Sequence, residues 1–166
     1  MHRYVVVALL EPLPAGTFFP ASQWPLHVTL STNFDVVAEP EAVAAIIAEI
    51  AAATHSFTIT GGEQALFGSH HSTPVTLVEP REPLARLHAA LVAGLRAHGA
   101  VFLYPEHLGD GYRPHATMQT RNRPHPAVLA TGRRVLLDTL ALVDWPQEGG
   151  HGSRRVSSLA PLTRES

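Results

Sequence analysis

Two residue types are missing altogether from this chain of 166 residues: cysteine and lysine. Without cysteine there can be no disulfide, no thiol nucleophile, no cysteine-ligated zinc and no iron–sulfur cluster. Without lysine there is no Schiff base, no Walker-type phosphate loop and no covalent lysyl-adenylate. Long apolar runs are also lacking. The run Val5-Val6-Val7-Ala8-Leu9-Leu10 is too short to span a bilayer, ends at Glu11 and Pro12, and has no small-residue cleavage site behind it. A cytoplasmic location with no membrane partner is therefore expected. Charge is sparse, at 16% of residues with a net value of −2, so the whole molecule does not act as a polycation toward nucleic acid.

What remains is unusual in one respect: eleven histidines. Any chemistry should therefore run on histidine, carboxylate, hydroxyl or arginine. Hydrophobic residues make up 45% of the chain, enough for a packed core. The length suits a single domain over 1–166, or two small lobes sharing a core. The charge is unevenly spread. Residues 1–112 carry four arginines against ten acids, whereas residues 113–166 carry eight arginines against four. A locally basic surface suits a phosphate-bearing ligand, and the acidic larger part disfavours a long duplex.

The hydrophobic pattern predicts strands at 3–10 and 26–31, with a proline- and glycine-containing loop over 11–16. Val43, Ile46, Ile47 and Ile50 fall on one face of a helix over 40–53. Strands follow at 56–60, ended by Gly61-Gly62, and at 75–79. Leu84, Leu87, Leu91, Val92 and Leu95 form the stripe of a second helix over 83–98, with Pro83 in its first turn and Gly99 as its stop. After a loop come a strand at 114–120, a short helix at 125–131, and strands at 134–145 and 154–160. Strands thus come in pairs between two helices, an α+β plan rather than a parallel α/β one.

Two of the predicted strands carry the same constellation: Leu26-His27-Val28-Thr29-Leu30 and Pro114-His115-Ala116-Thr117-Met118. In a strand, residues i and i+2 share a face, so each motif presents a histidine beside a threonine. About one His-x-Thr is expected by chance at this composition, and about 0.2 when apolar residues must follow both positions. Two such motifs occur, one in each half. A third copy, His71-Ser72-Thr73, lacks apolar flanks and reads as loop.

With these motifs the chain resembles the 2H phosphoesterase superfamily, the group of 2'-5' RNA ligases and 2',3'-cyclic phosphodiesterases. The resemblance extends to Arg3-Tyr4-Val5-Val6-Val7-Ala8-Leu9 as a first strand, to Ala65-Leu66-Phe67-Gly68 as a turn before the central strand, and to Tyr112-Arg113-Pro114-His115 as the lead-in to the second motif. It implies a bilobal, pseudo-symmetric fold with two antiparallel sheets facing a central cleft and helices outside. It implies His27, Thr29, His115 and Thr117 as catalytic residues and no cofactor or metal. The partners it implies are RNA ends bearing a 2',3'-cyclic phosphate, or cyclic nucleotides, with hydrolysis leaving a 2'-phosphate. Family members often carry an arginine after the second motif. Strand parity through Gln119 nominates Arg121 for the phosphate. Tyr4, Phe67 and Tyr112 are candidates to stack a base.

The residue types suit that chemistry. Opening a cyclic phosphate needs a base for the attacking water and an acid for the departing ribose oxygen, on opposite sides of phosphorus. Two histidines, each with an ordinary pKa near 6.5, can divide those roles near neutrality. The threonine hydroxyls can donate to the non-bridging oxygens. Two other functions fit the composition: an RNA-end or nucleotide-binding protein with little turnover, and a histidine-rich metal-dependent hydrolase. His70-His71 is the candidate pair for the latter, though no third ligand stands at a recognisable spacing. Nothing suggests a subunit interface, so a monomer is expected.

Overall fold

In the computed structural model, which describes residues 1–146 and 152–165, strands and two helices follow one another in the order β1 (His2–Leu9), β2 (Phe18–Pro20), β3 (His27–Thr29), β4 (Phe34–Val36), α1 (Pro40–Ala52), β5 (Phe57–Phe67), β6 (Thr73–Glu79), α2 (Arg81–Ala97), β7 (Val101–Phe102), β8 (His115–Thr117), β9 (Arg134–Leu137), β10 (Thr139–Asp144) and β11 (Ser153–Pro161). This is the α+β plan the sequence predicts. Pairing between these strands is antiparallel throughout. One half-sheet runs β2-β11-β10-β1-β3 and the other β8-β6-β5-β9, and the β3–β8 contact joins them. β4 and β7 extend the first half beside the start of β1. No helix among the described residues is long and apolar enough to cross a membrane.

Both helices form where the apolar stripes put them. α1 buries Val43, Ile46, Ile47 and Ala51, and α2 buries Leu84, Leu87, Leu91, Val92 and Leu95. Neither has a side-chain cap at its N-terminus, where prolines stand instead. The helices pack closely, since a Cβ at Gly94 would stand 2.9 Å from Ile50 Cδ1. The largest buried cluster takes in both helices and residues of both half-sheets. Opposite it, Val5, Val7, Phe19, Ala141, Val143 and Val156 form a second apolar layer on the other face of the first half-sheet.

Three predicted elements need correction. The strand ended by Gly61-Gly62 instead continues to Phe67, and the glycines mark a bulge within it. A Cβ at Gly61 would collide with the Ala130 carbonyl, so glycine lets the two backbones meet. The helix predicted over 125–131 does not form. Its backbone is tied to other elements: Gln119 and Ala127 exchange hydrogen bonds, and the Thr76 hydroxyl donates to Leu129 O at 2.7 Å. The strand predicted over 134–145 breaks at Asp138 into β9 and β10, which join opposite half-sheets.

His88 links α2 to the motif-bearing strand. Its Nδ1 lies 2.7 Å from Leu30 O, and its Nε2 accepts from the Gly109 N–H at 3.2 Å. A carbonyl can only accept, so Nδ1 carries the proton and the ring is neutral. Tyr112 stacks on it with centroids 4.0 Å apart. Burial holds His88 below the ordinary histidine pKa, and likewise His27 and His115. Above about pH 6.5 such rings are neutral folded and unfolded, and stability is flat. Below it the unfolded chain takes protons that the folded chain refuses. Stability should then fall by up to about 1.4 kcal/mol per pH unit for each ring. Chemical denaturation from pH 8 to 5 should show this one-sided loss. His88→Leu, which orphans Leu30 O and the Gly109 N–H, should cost about 2–4 kcal/mol and remove its share of the acid slope.

Candidate active site

The two motifs meet across one strand pair. β3 and β8 are antiparallel with Val28 opposite Ala116. That register sets His27 opposite Thr117 and Thr29 opposite His115. Val28 and Ala116 are buried, at 0% and 1% exposure, so all four motif side chains occupy the other face. Directly opposed Cβ atoms lie about 5 Å apart and diagonal ones about 7–8 Å. The histidines occupy one diagonal of this square and the threonines the other. Each of these three-residue strands is also held on its other flank, β3 by β1 and β8 by β6.

The histidine rings are oriented by matching contacts. His27 Nδ1 is 2.7 Å from Pro25 O, and His115 Nδ1 is 2.7 Å from Arg113 O. As with His88, the carbonyl accepts, so Nδ1–H donates and Nε2 is the nitrogen left for a ligand. Desolvation is the first cause of the lowered pKa of both rings. The repulsion of His115 adds to it at His27, and that of Arg113 and His107 adds to it at His115. Both rings are therefore neutral bases near pH 7 in the free protein. Their Nε2 atoms are ready to accept a proton, or to hold one when an anion is present.

A cavity of about 610 Å³ opens over β8, and Thr29, His115 and Thr117 line it. His27 is not among the lining residues; it stands on the strand pair beside Thr29 and Thr117, which are, and its ring lies against Trp24 with centroids 4.8 Å apart. Phe67 forms a wall, edge-on to His115 at 4.7 Å, and the Arg113 guanidinium lies 4.5 Å from the centre of the Phe67 ring. Among the described residues no carboxylate lines the cavity, and Arg113 is its one arginine. Its outer rim includes Tyr104, His107 and His71. Among the described residues no three of histidine, aspartate and glutamate converge as metal ligands.

Of the remaining residues singled out in the sequence, Phe67 reaches the cavity. Tyr112 lines it too, but at 7% exposure its ring is covered by His88 and its hydroxyl donates to Thr29 O at 2.9 Å. It braces β3 and offers no open face to a base. Tyr4 is fully buried against Phe34 on the opposite face of β1, and burial pushes its hydroxyl up to about 12. Arg121 does not arrive either. β8 ends at Thr117, and the chain turns at Asn122 (φ 54°), which leaves Arg121 exposed outside the cavity. Arg113 is the arginine that lines the cavity. Its parity with His115 is the signal that sequence analysis passed over. The discounted third copy also contributes, since His71 (φ 48°) and Thr73 both line the cavity.

No curated protein matches this chain. Among solved structures, one described as a phosphoesterase is 19% identical, with a TM-score of 0.60 over 98% of this chain and 99% of that one. A protein of Thermus thermophilus is 20% identical, with a TM-score of 0.63 over all of both chains. LigT of E. coli complexed with 3'-AMP is 18% identical, with a TM-score of 0.62 over 98% of both. At such identities these likenesses establish the fold alone. The sequence profile of the 2'-5' RNA ligase superfamily matches residues 10–147, a span that takes in both histidine–threonine strands and everything between them. By that match, and with the antiparallel fold in agreement, the chain belongs to the 2'-5' RNA ligase superfamily.

Proposed function

We propose that the chain is a metal-independent phosphoesterase that opens 2',3'-cyclic phosphates on RNA ends or nucleotides, by acid–base catalysis shared between His27 and His115. One observation carries this reading: the two histidines lie on the diagonal of a four-residue square, with both Nδ1 atoms tied to carbonyls and both Nε2 atoms free for a ligand. A phosphate seated between them meets one imidazole on each side, as in-line displacement requires. One neutral Nε2 takes the proton of the attacking water. The other, protonated, gives its proton to the 3'-oxygen as the P–O bond breaks, leaving a 2'-phosphate. Thr29 and Thr117, on the second diagonal, donate to the non-bridging oxygens. Arg113 adds the one fixed positive charge at the cavity among the described residues, its guanidinium over the Phe67 ring. With a ribose 5'-hydroxyl as the attacking group in place of water, the same groups would open the ring to a 2'-5' linkage, one ring taking the hydroxyl proton and the other giving one to the departing 3'-oxygen. LigT, which shares the fold, is seen complexed with 3'-AMP, and this supports a nucleotide in the cavity.

Hydrolysis of 2',3'-cyclic mononucleotides in excess chelator tests the proposal. Product should form at an undiminished rate, and His27→Ala and His115→Ala should each lose at least about a hundredfold in kcat/KM. Wild-type rates in both variants would sink the two-histidine mechanism, and saturable binding without product would favour a binding protein of the same fold. Arg113→Gln should lower kcat/KM about 10- to 100-fold while Arg121→Gln changes it little, which separates the two candidate phosphate arginines.

The pH profile gives a second check. The free protein needs one ring neutral and one protonated. Since both rings titrate below the ordinary value of about 6.5, that singly protonated form peaks on the acid side of 6.5. The kcat/KM profile should therefore be a bell centred below pH 6.5. A bound phosphate favours the imidazolium, so the kcat profile should move to higher pH.

A further inference from the structure

The face of the first half-sheet that bears the motif residues does not end at His27. Trp24 lies against His27 and meets Phe19 edge-on at 5.0 Å. Phe19 stands opposite Arg154 in the β2–β11 ladder. The Arg154 guanidinium lies 4.3 Å from the centre of the Trp145 ring. Trp24, the buried Phe19, Arg154 and Trp145 thus mark a path from the candidate catalytic histidine to the far end of β1, where the Trp145 backbone N–H donates to Arg3 O. The span from Leu9, opposite His27, to Arg3 is six residues, or about 20 Å of strand. Both tryptophans of the chain are in this row, each partly exposed. A second cavity of about 560 Å³, lined by Trp145, by Arg3 with its partner Asp35 and by Arg155 with its partner Asp144, closes the far end.

The charges along the row suit a polyanion. The nearby carboxylates are each neutralised: Glu11 by Arg123, Asp35 by Arg3 and Asp144 by Arg155. Arg154 has no carboxylate partner among the described residues. Its NH1 donates to Ser153 O, and its buried Nε has no acceptor among them. Two partly exposed tryptophans and an arginine, beside carboxylates that are paired among the described residues, make a platform of the kind that single-stranded nucleic acid uses, with bases on rings and phosphates on arginine. A mononucleotide in the catalytic cavity leaves all of it unused.

We propose that this row, with the cavity at its far end, is a second subsite that holds the single-stranded RNA body behind a terminal cyclic phosphate, stacking a base on Trp145 and taking a phosphate on Arg154. The inference rests on reading the catalytic cavity as a cyclic-phosphate site. It goes further in making an oligoribonucleotide the preferred substrate over a mononucleotide.

The test compares a hexaribonucleotide ending in a 2',3'-cyclic phosphate with 2',3'-cyclic AMP, in wild type, Trp145→Ala, Trp145→Tyr and Arg154→Gln. For the oligonucleotide, KM should rise about tenfold in Trp145→Ala, the size of one lost stacked base, and recover in Trp145→Tyr. Rates on the mononucleotide should stay unchanged, which also certifies that the variants fold. In parallel, fluorescence anisotropy with a labelled hexaribonucleotide bearing a 3'-phosphate measures binding without turnover. There Arg154→Gln should lower the slope of log Kd against log salt by about 0.7. Equal effects on both substrates, or none on either, would overturn the proposal. If no substrate turns over, the catalytic reading fails, and anisotropy still judges the row: unweakened binding in Trp145→Ala overturns it, and tenfold weaker binding upholds it.

Discussion

The site depends on a single antiparallel contact, the Val28–Ala116 pairing of β3 with β8, which also joins the two half-sheets into one. Strand side chains alternate with a strict period of two, so a one-residue slip of either strand here would send both of its motif side chains into the core. Strands of three residues have little power to fix register by themselves. Register is imposed from both flanks instead, where β1 holds β3 through Val7–Thr29 and β6 holds β8 through Thr76–Ala116. The buried Val28 and Ala116 then make the slipped alternative expensive, because it would exchange apolar side chains for imidazole and hydroxyl. Tyr112 adds a third restraint by donating to Thr29 O from the loop that leads into β8.

The same architecture sets the chemistry of the histidines. A free imidazole chooses between two tautomers, and either nitrogen can face a ligand. Here the backbone removes the choice by turning the carbonyl two residues upstream onto Nδ1 in each motif. In both motifs a proline adjoins that arrangement: Pro25 supplies one carbonyl, and Pro114 lies between Arg113 and His115 in the other. Proline fixes φ and keeps these lead-in segments extended, and the lost N–H costs nothing at a strand start. Burial then lowers both pKa values, so near neutral pH an arriving anion would favour the protonated partner.

Much of this was legible from the sequence because it depends on short-range periodicity. The apolar stripes of α1 and α2 and the i, i+2 presentation of His27–Thr29 and His115–Thr117 need only the geometry of helix and strand. What escaped depends on where strands stop and what lies across from them. Strand parity sets Arg121 on the face of His115, but β8 ends before it, and Arg113 on the near side of the histidine reaches the cavity. Tyr4 and Tyr112 were read as aromatic faces, yet parity on β1 sends one into the core and His88, from a helix remote in sequence, covers the other. Gly61 looked like a strand end because its partner, the Ala130 carbonyl, is far along the chain. His71-Ser72-Thr73 lacked apolar flanks because it sits on a rim, where burial demands none.

The distribution of charge follows from the same arrangement. Arginine is the only basic side chain available besides histidine, and four arginines lie over aromatic rings, at Phe102, Phe67, Trp145 and Phe18. Lysine would present a hydrated point charge at these places, whereas a guanidinium can lie flat on a ring and still donate from its edge. Two of these pairs, Arg113 on Phe67 and Arg154 on Trp145, stand at either end of the motif-bearing face, with His27, Trp24 and Phe19 on the path between. The net negative charge of the chain is no obstacle there, because the acids beside that face are held in arginine pairs. A molecule that would repel duplex nucleic acid as a whole thus keeps one surface where, on the proposal above, a single strand would meet tryptophan rings and a guanidinium.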